Sequence, residues 1–387
     1  MPSGKTIATP QALALAISTV LLHPNTLLAA EPPQEIAVIG VAPGATTGQQ
    51  ALRMPFAVKS SSFADLESQQ SLDLSDYLNT RSAGVNINSA QGNPLQADLQ
   101  FRGFTASPLL GLPQGIAVYQ DGVRINEPLG DAVNWDLLPE SAIYSMDLIS
   151  GANPVFGLNT LGGALVLRTK DGFNFPHTQV EALTGSWGRQ TLSVESGHAL
   201  SLNADSELAW YLNASLFDEE GWCQLSDSES SNVLARLDWR SAASSLGLSY
   251  QHGDSDLIGN GALPIGMLAL DRSAIFTAPD ITDNNLKAWT LHGSHQLSPG
   301  LQISGTAFLR ENHTHSFNGD GSEFELCEYA GGARALFEEA DDLEDALESQ
   351  LGIELDDICA GEDPSITSTA LLKAYIAQAA LAAGLDA

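Results

Sequence analysis

Beyond Pro176, apolar and polar residues alternate with a period of two. In Ser206–Phe217, Leu208, Trp210, Leu212, Ala214 and Leu216 share one face, and Glu207, Tyr211, Asn213 and Ser215 share the other. Asn232–Arg240 repeats the pattern, with Val233, Ala235, Leu237 and Trp239 opposite Asn232, Arg236, Asp238 and Arg240. Weaker alternations occupy Thr178–Gly185, Thr191–Leu200, Ser245–His252, Leu286–Leu297 and Leu301–Glu311. Segments of about ten residues with one apolar face predict antiparallel strands of a transmembrane β-barrel, although a soluble β-sandwich gives the same alternation. The connections favour the barrel. Asn203-Ala204-Asp205, Ser241–Ser244 and Ser298-Pro299-Gly300 are short. Glu219–Ser231, Gly253–Asn285 and everything after His313 are long, and only the first hairpin, around Ser186–Gln190, is tight at that end. Such asymmetry matches the periplasmic and extracellular ends of a barrel.

The pattern before Pro176 is different. Lys5, the apolar run Ala12–Leu22 and the small residues at Leu27-Leu28-Ala29-Ala30 have the layout of a cleaved signal peptide over residues 1–30. Residues 31–62, rich in Pro, Gly, Ala and Thr, predict a flexible segment. Within it, Glu35-Ile36-Ala37-Val38-Ile39-Gly40 is β-prone and could pair its backbone with the edge of another protein's sheet. Residues 63–172 predict an α/β domain. A helix is expected over Asp65–Tyr77, anchored by Leu66, Leu72, Leu74 and Leu78. Short strands are expected at Gly84–Asn88, Asp98–Phe101, Gly115–Tyr119, Ile143–Ile149 and Leu165–Thr169.

Composition narrows the function. The 387 residues carry 16 Lys+Arg against 47 Asp+Glu, a net charge of −31, which argues against a nucleic-acid partner. Hydrophobic residues make up 43%, enough for a core, yet no run approaches the ~18 apolar residues of a membrane-spanning helix. Residues 320–363 hold sixteen of the acids and one base, Arg334. There Leu336, Ala340, Leu343, Leu347 and Leu351 recur at helical spacing, predicting an amphipathic helix with a solvated acidic face. Cys327 and Cys359 flank it and, in an oxidising compartment, are placed to close the loop as a disulfide, leaving Cys223 odd. His313 and His315 lack a third ligand for a metal. Gly185-Ser186-Trp187-Gly188 is not a nucleophile elbow, and Gly157–Gly163 lacks the lysine of a phosphate loop. No catalytic site, metal or cofactor is expected.

Four pieces in order carry a family resemblance: Phe101-Arg102-Gly103-Phe104, Val118-Tyr119-Gln120-Asp121-Gly122-Val123, Ile143–Gly151, and Val155–Ala164 with its Gly162-Gly163 pair. Over about residues 35–172 the chain resembles the plug domain of TonB-dependent outer-membrane receptors. The resemblance implies an α/β plug followed by antiparallel barrel strands, here about seven over residues 173–387 against about 22 in plugged transporters, as in an N-terminal part of a receptor. It makes Glu35, Ile36, Ala37, Val38, Ile39 and Gly40 the TonB box. Arg102, Gly103, Asp121, Gly122, Gly151, Gly157, Gly162 and Gly163 become structural motif positions, with Arg102 in a buried ion pair or hydrogen-bond network. Plug loops facing outward would contribute Gln91, Asn93, Gln96, Ser107, Gln114, Asn126, Asp131, Asn134 and Trp135 to ligand binding. Their neutral groups suit an oxygen-rich chelate or glycan, and the lack of Arg and Lys argues against a strongly anionic ligand. The implied function is active uptake of a scarce nutrient across a Gram-negative outer membrane, with a ferric siderophore or similar chelate the commonest cargo. Its partners are TonB with its inner-membrane energising complex, outer-membrane lipid and the ligand. The other class of reading is an exported barrel or surface-binding protein without transport, or a non-functional receptor fragment.

Overall fold

The computed structural model describes residues 38–40, 48–50, 57–69, 73–89, 91–259, 261–319, 324–329, 332–338, 348–352, 359 and 368–383. Two short strands, β1 (Val38–Gly40) and β2 (Gly48–Gln50), come first. The α/β part begins at β3 (Val58–Ser62), inside the stretch expected to be flexible, because its backbone pairs antiparallel with β9 (Ile143–Ser150). The single helix expected over Asp65–Tyr77 is two: α1 (Phe63–Gln69) and α2 (Leu74–Arg81). Asp73 separates them, because its carboxylate caps α2 by accepting from Asp76 N at 2.8 Å.

A three-stranded sheet follows, formed by β4 (Val85–Asn88), β5 (Asp98–Phe101) and β6 (Phe104–Ala106). The larger sheet adds β7 (Ile116–Gln120), β8 (Val123–Arg124) and β10 (Gly163–Thr169) in the order β3-β9-β10-β7-β8. β10 lies antiparallel to β9 and parallel to β7. Every residue of β7 is buried, which explains its unbroken Ile-Ala-Val-Tyr run. Met146, Leu148, Leu165 and Leu167 carry that core toward Leu74 and Leu78 of α2.

The motifs meet in space. A Cβ at Gly162 would sit 2.4 Å from Phe104 Cβ, so the aromatic ring of the Arg-Gly-Phe turn occupies room that the glycine leaves. At Gly163, with φ +148°, a Cβ would lie 2.1 Å from Ile149 O, within the β9–β10 pairing itself.

The second part is one antiparallel meander: β11 (Thr178–Thr184), β12 (Gln190–Asn203), β13 (Ser206–Glu219), β14 (Ser228–Ser241), β15 (Ser244–Gly259), β16 (Asp280–Ser298) and β17 (Leu301–Phe317). Their register sorts the side chains into two faces. Trp210, Leu237, Leu248 and Leu291 lie side by side across four strands and are 38–48% exposed. The next row, Tyr211, Arg236, Ser249 and Thr290, projects to the opposite face, where Tyr211 is 1% exposed beneath the α/β domain. The apolar face is thus the uncovered one, an inversion of the soluble rule that suits lipid.

Phe324–Glu328 and Arg334–Glu338 form a two-stranded hairpin, β18 and β19, closed by an Arg334–Glu328 ion pair at 2.7 Å. Leu336 therefore belongs to a strand and not to the expected amphipathic helix, since pairing with β18 takes the backbone groups a helix would bond internally. Ala340, Leu343 and Leu347 lie outside the described residues. Cys327 and Cys359 are joined as a disulfide, and Cys223 is free and half-buried. Thr369–Ala383 is a helix that buries Leu372, Ile376 and Ala379.

Candidate functional site

Period-two strands present every second residue to the α/β domain, and on the covered face most of these residues are polar, with Leu234, Leu257 and Leu286 among the apolar exceptions. Each strand from β12 to β17 uses the polar ones to hold the domain. On β12, Glu195 accepts both its carboxylate contacts from Lys170 Nζ at 2.8 Å, and Tyr211 of β13 donates to the same group at 2.6 Å. Lys170 also donates to Ser141 O at 2.8 Å and lies 4.5 Å from the ring centres of both Phe63 and Phe175. Its side chain is 3% exposed. Burial pulls the Lys170 pKa down, opposed chiefly by Glu195.

On β14, Arg236 donates to Thr169 Oγ1 at 2.7 Å and sits 3.5 Å from Asp121 and 3.1 Å from Asp238. Asp121 in turn accepts from the backbone and hydroxyl of Thr169 at 2.9 and 2.6 Å. The Asp121-Gly122 pair forms the two-residue turn between β7 and β8, both at positive φ (48° and 83°), so the turn aims the carboxylate at the strands. On β17, Arg310 grips Glu127 with two bonds of 2.9 and 2.7 Å, and Asn312 adds a third at 3.0 Å.

Between these pairs lies a carboxylate with no ion pair among the described residues. Asp136 accepts from Ser255 of β15 at 2.6 Å and Asn284 of β16 at 2.9 Å, while its backbone carbonyl accepts from Asn232 of β14. Its Oδ1 has no hydrogen-bond partner among the described residues, and burial pushes its pKa up.

The residues expected to meet ligand are placed differently. Asn93 is 1% exposed and donates to Ser228 and, at 3.2 Å, to Ile258 O. Gln114 is clamped to Ser107 through both backbone groups, at 2.9 and 3.2 Å. Asn126 accepts from Val118 N at 2.8 Å and donates to Ile116 O at 3.1 Å. Gln96 and Trp135 are buried too, and Ser107 donates to Asp98. Asp131 pairs with Arg124 at 2.8 Å. Gln91 and Asn134 are half-buried.

Arg102 is exposed, against the buried network expected for it. With Gly103 it makes the two-residue β5–β6 turn, φ 54° and 87°, which points its side chain outward, where the guanidinium lies 5.1 Å from the Phe101 ring centre. Gly151 and Gly157 also take positive φ, 89° and 80°. Val38, Ile39 and Gly40 lie in β1, whereas Glu35, Ile36 and Ala37 fall outside the described residues. His313 bonds Glu311 at 2.9 Å in the open, and His315 lies 3.8 Å from Asp283.

Residues 50–164 match the family model described as TonB-dependent Receptor Plug Domain. This segment is similar to a TonB-dependent receptor plug. The chain is 28% identical over 201 residues to the vitamin B12 transporter BtuB of Vibrio cholerae, a match covering 51% of this chain and 31% of that protein. The chain thus spans under a third of this curated relative. Among solved structures, the ferric yersiniabactin uptake receptor FyuA of Yersinia pestis superposes with a TM-score of 0.54 at 14% identity, covering 70% of this chain and 43% of the receptor. The ferric preacinetobactin receptor BauA of Acinetobacter baumannii superposes at 0.57 and 14%, covering 73% and 41%. At those identities the likeness establishes the fold: a plug seated on the polar face of receptor-type barrel strands.

Lys170, Glu195, Glu127, Arg310 and Asp136, which fix the plug to the wall, were not among the positions singled out from sequence. Their signal was available only for one side. The polar face of β14 was legible with Arg236 and Asp238 on it, but nothing local to the plug sequence shows which of its acids and bases answer that face.

Proposed function

We propose that the chain acts as a TonB-dependent outer-membrane receptor that takes up a scarce nutrient, a ferric siderophore or similar chelate. The observation that carries this reading is the polarity of the seven-stranded sheet. One face is apolar and uncovered, and the other is polar and bonded to the plug. Ligand arrives from the long-loop end, where Gln91 and Asn134 offer neutral hydrogen-bonding groups. Binding frees the Glu35–Gly40 box to the periplasm, TonB adds a strand to it, and force drawn from the inner-membrane proton gradient breaks the plug–wall contacts. Residues 1–30 direct export to the outer membrane.

The reading is supported by the kind of contact that holds the plug. Most of the wall contacts are hydrogen bonds and ion pairs, which water replaces once the plug moves, and the apolar seam beside them is one small cluster of Ala142, Phe175, Tyr211 and Leu234. Radiolabelled ferric-chelate accumulation in cells expressing the protein, with and without a functional TonB, tests it. Accumulation that needs TonB is expected. Equal accumulation in both strains would remove the TonB-dependent mechanism.

A further inference from the structure

The α1–α2 side of the plug and the covered faces of β11–β14 bound a cavity of about 500 Å3, a size that holds a small-molecule ligand. Glu67, Asp73, Asp136, Glu140, Glu181 and Glu195 line it, with Lys170 and Arg189 the basic residues. Both bases are already paired, Lys170 with Glu195 and Arg189 with Glu219. Glu67, Asp73 and Glu181 line it and enter no ion pair among the described residues, the first and last of them exposed at its mouth, so its lining carries an excess of negative charge. Glu140 itself holds its proton near neutral pH: burial first, and then the neighbouring Asp73 carboxylate, hold it up at about 8 against the ordinary 4.5, despite a bond from Leu74 N.

A second observation points to an occupant. Three of the lining residues, Trp135, Asp136 and Asn232, are 6%, 3% and 4% exposed and carry polar atoms without a partner among the described residues: Trp135 Nε1, Asp136 Oδ1 and Asn232 Oδ1. Buried polar groups in folded proteins are ordinarily satisfied. Two of these three are acceptors, which call for donated protons. Unpaired carboxylates and orphan acceptors around one cavity have a common complement, a positively charged hydrogen-bond donor.

We propose that this cavity binds a cation, either an organic ammonium or a hydrated metal ion. The inference goes beyond the uptake reading, since the cavity lies apart from Gln91 and Asn134. Binding itself needs no TonB.

The test uses the full chain in detergent at about 150 mM salt, where charges beyond about 8 Å are screened and the diffuse field of the acidic surface is muted. Calorimetric titrations use spermidine, Mg2+ and citrate as probes. Saturable binding of spermidine or of Mg2+, with none of citrate, is expected, and which cation binds separates the organic from the metal-ion source. Glu67→Gln with Glu181→Gln should weaken that binding about tenfold. Glu311→Gln with Asp283→Asn, on the uncovered face, should leave it unchanged. Binding near neutral pH should also release a proton from Glu140, seen as heat that varies with the buffer and vanishes in Glu140→Gln. Failure of both cations to bind overturns the inference, and so does equal weakening by the two double variants. TonB-dependent uptake that persists without cation binding would overturn this inference alone, whereas cation binding without TonB-dependent uptake would overturn only the uptake reading.

Discussion

The Lys170 ammonium reaches Glu195 from a position almost closed to water, flanked by two aromatic rings. Removing one member of such a pair leaves the other buried and uncompensated. Lys170→Met is therefore expected to lower stability by about 3–5 kcal/mol, and adding Glu195→Gln should recover most of that loss, because the stranded charge is then gone. Urea unfolding of the single and double variants checks this. Glu140 makes the opposite kind of contribution. Its carboxyl titrates near 8 in the folded protein against an ordinary 4.5. Between those values the folded state binds more protons than the unfolded chain, so stability falls as pH rises through the window. Glu140→Gln keeps an acceptor for Leu74 N and removes the charge beside Asp73. The variant should match the parent near pH 4 and melt at a higher temperature at pH 8, with the gap opening between. A gap that closes toward pH 8 would contradict the placement of this carboxyl.

At the scale of elements, the strands of the wall were legible because each carries its own period-two pattern, as in Leu208–Leu216 and Val233–Trp239. Their ends were not. β15 and β16 run to Gly259 and from Asp280, well into stretches expected to be loops, because hydrogen bonding to a neighbour keeps a polar segment such as Asp254–Leu257 extended without any apolar face. The break between α1 and α2 was hidden by leucines at helical spacing on both sides of the Asp73 cap. The plug motifs were legible as glycines and an Arg-Gly-Phe turn. The role given to Arg102 failed because a two-residue hairpin turn directs its side chain outward, a consequence of backbone geometry and not of residue type. Residue chemistry alone does not place the side chains expected to bind ligand. Side-chain bonds to Ser228 of β14 and Ile258 O of β15 spend Asn93 on the wall. For the Glu35–Gly40 box, the account predicts a backbone effect. Ile36→Pro or Val38→Pro removes an amide donor and blocks strand addition by TonB, so uptake should be lost with ligand binding intact. Measuring both quantities in each variant checks it, and normal transport in both would dismiss the box.

For the molecule as a whole, the proposed uptake requires the plug to leave its seat on the wall. The structure offers a way to hold it there with one substitution. Gly92 belongs to the plug, and Cys223 to the connection between β13 and β14. A Cβ built at Gly92 would lie 3.6 Å from the Cys223 sulfur. That is close to the reach of a disulfide, and the φ of +67° at this position costs a non-glycine residue only about 1–2 kcal/mol. Gly92→Ser carries the same backbone cost without the bond and serves as control. The decisive measurement is ligand accumulation by cells expressing Gly92→Cys, before and after reduction, with the Gly92–Cys223 bond confirmed by mass spectrometry. The account predicts that the oxidised protein binds ligand but does not transport it, that reductant restores transport, and that Gly92→Ser transports throughout. Undiminished transport with the bond fully formed would contradict it.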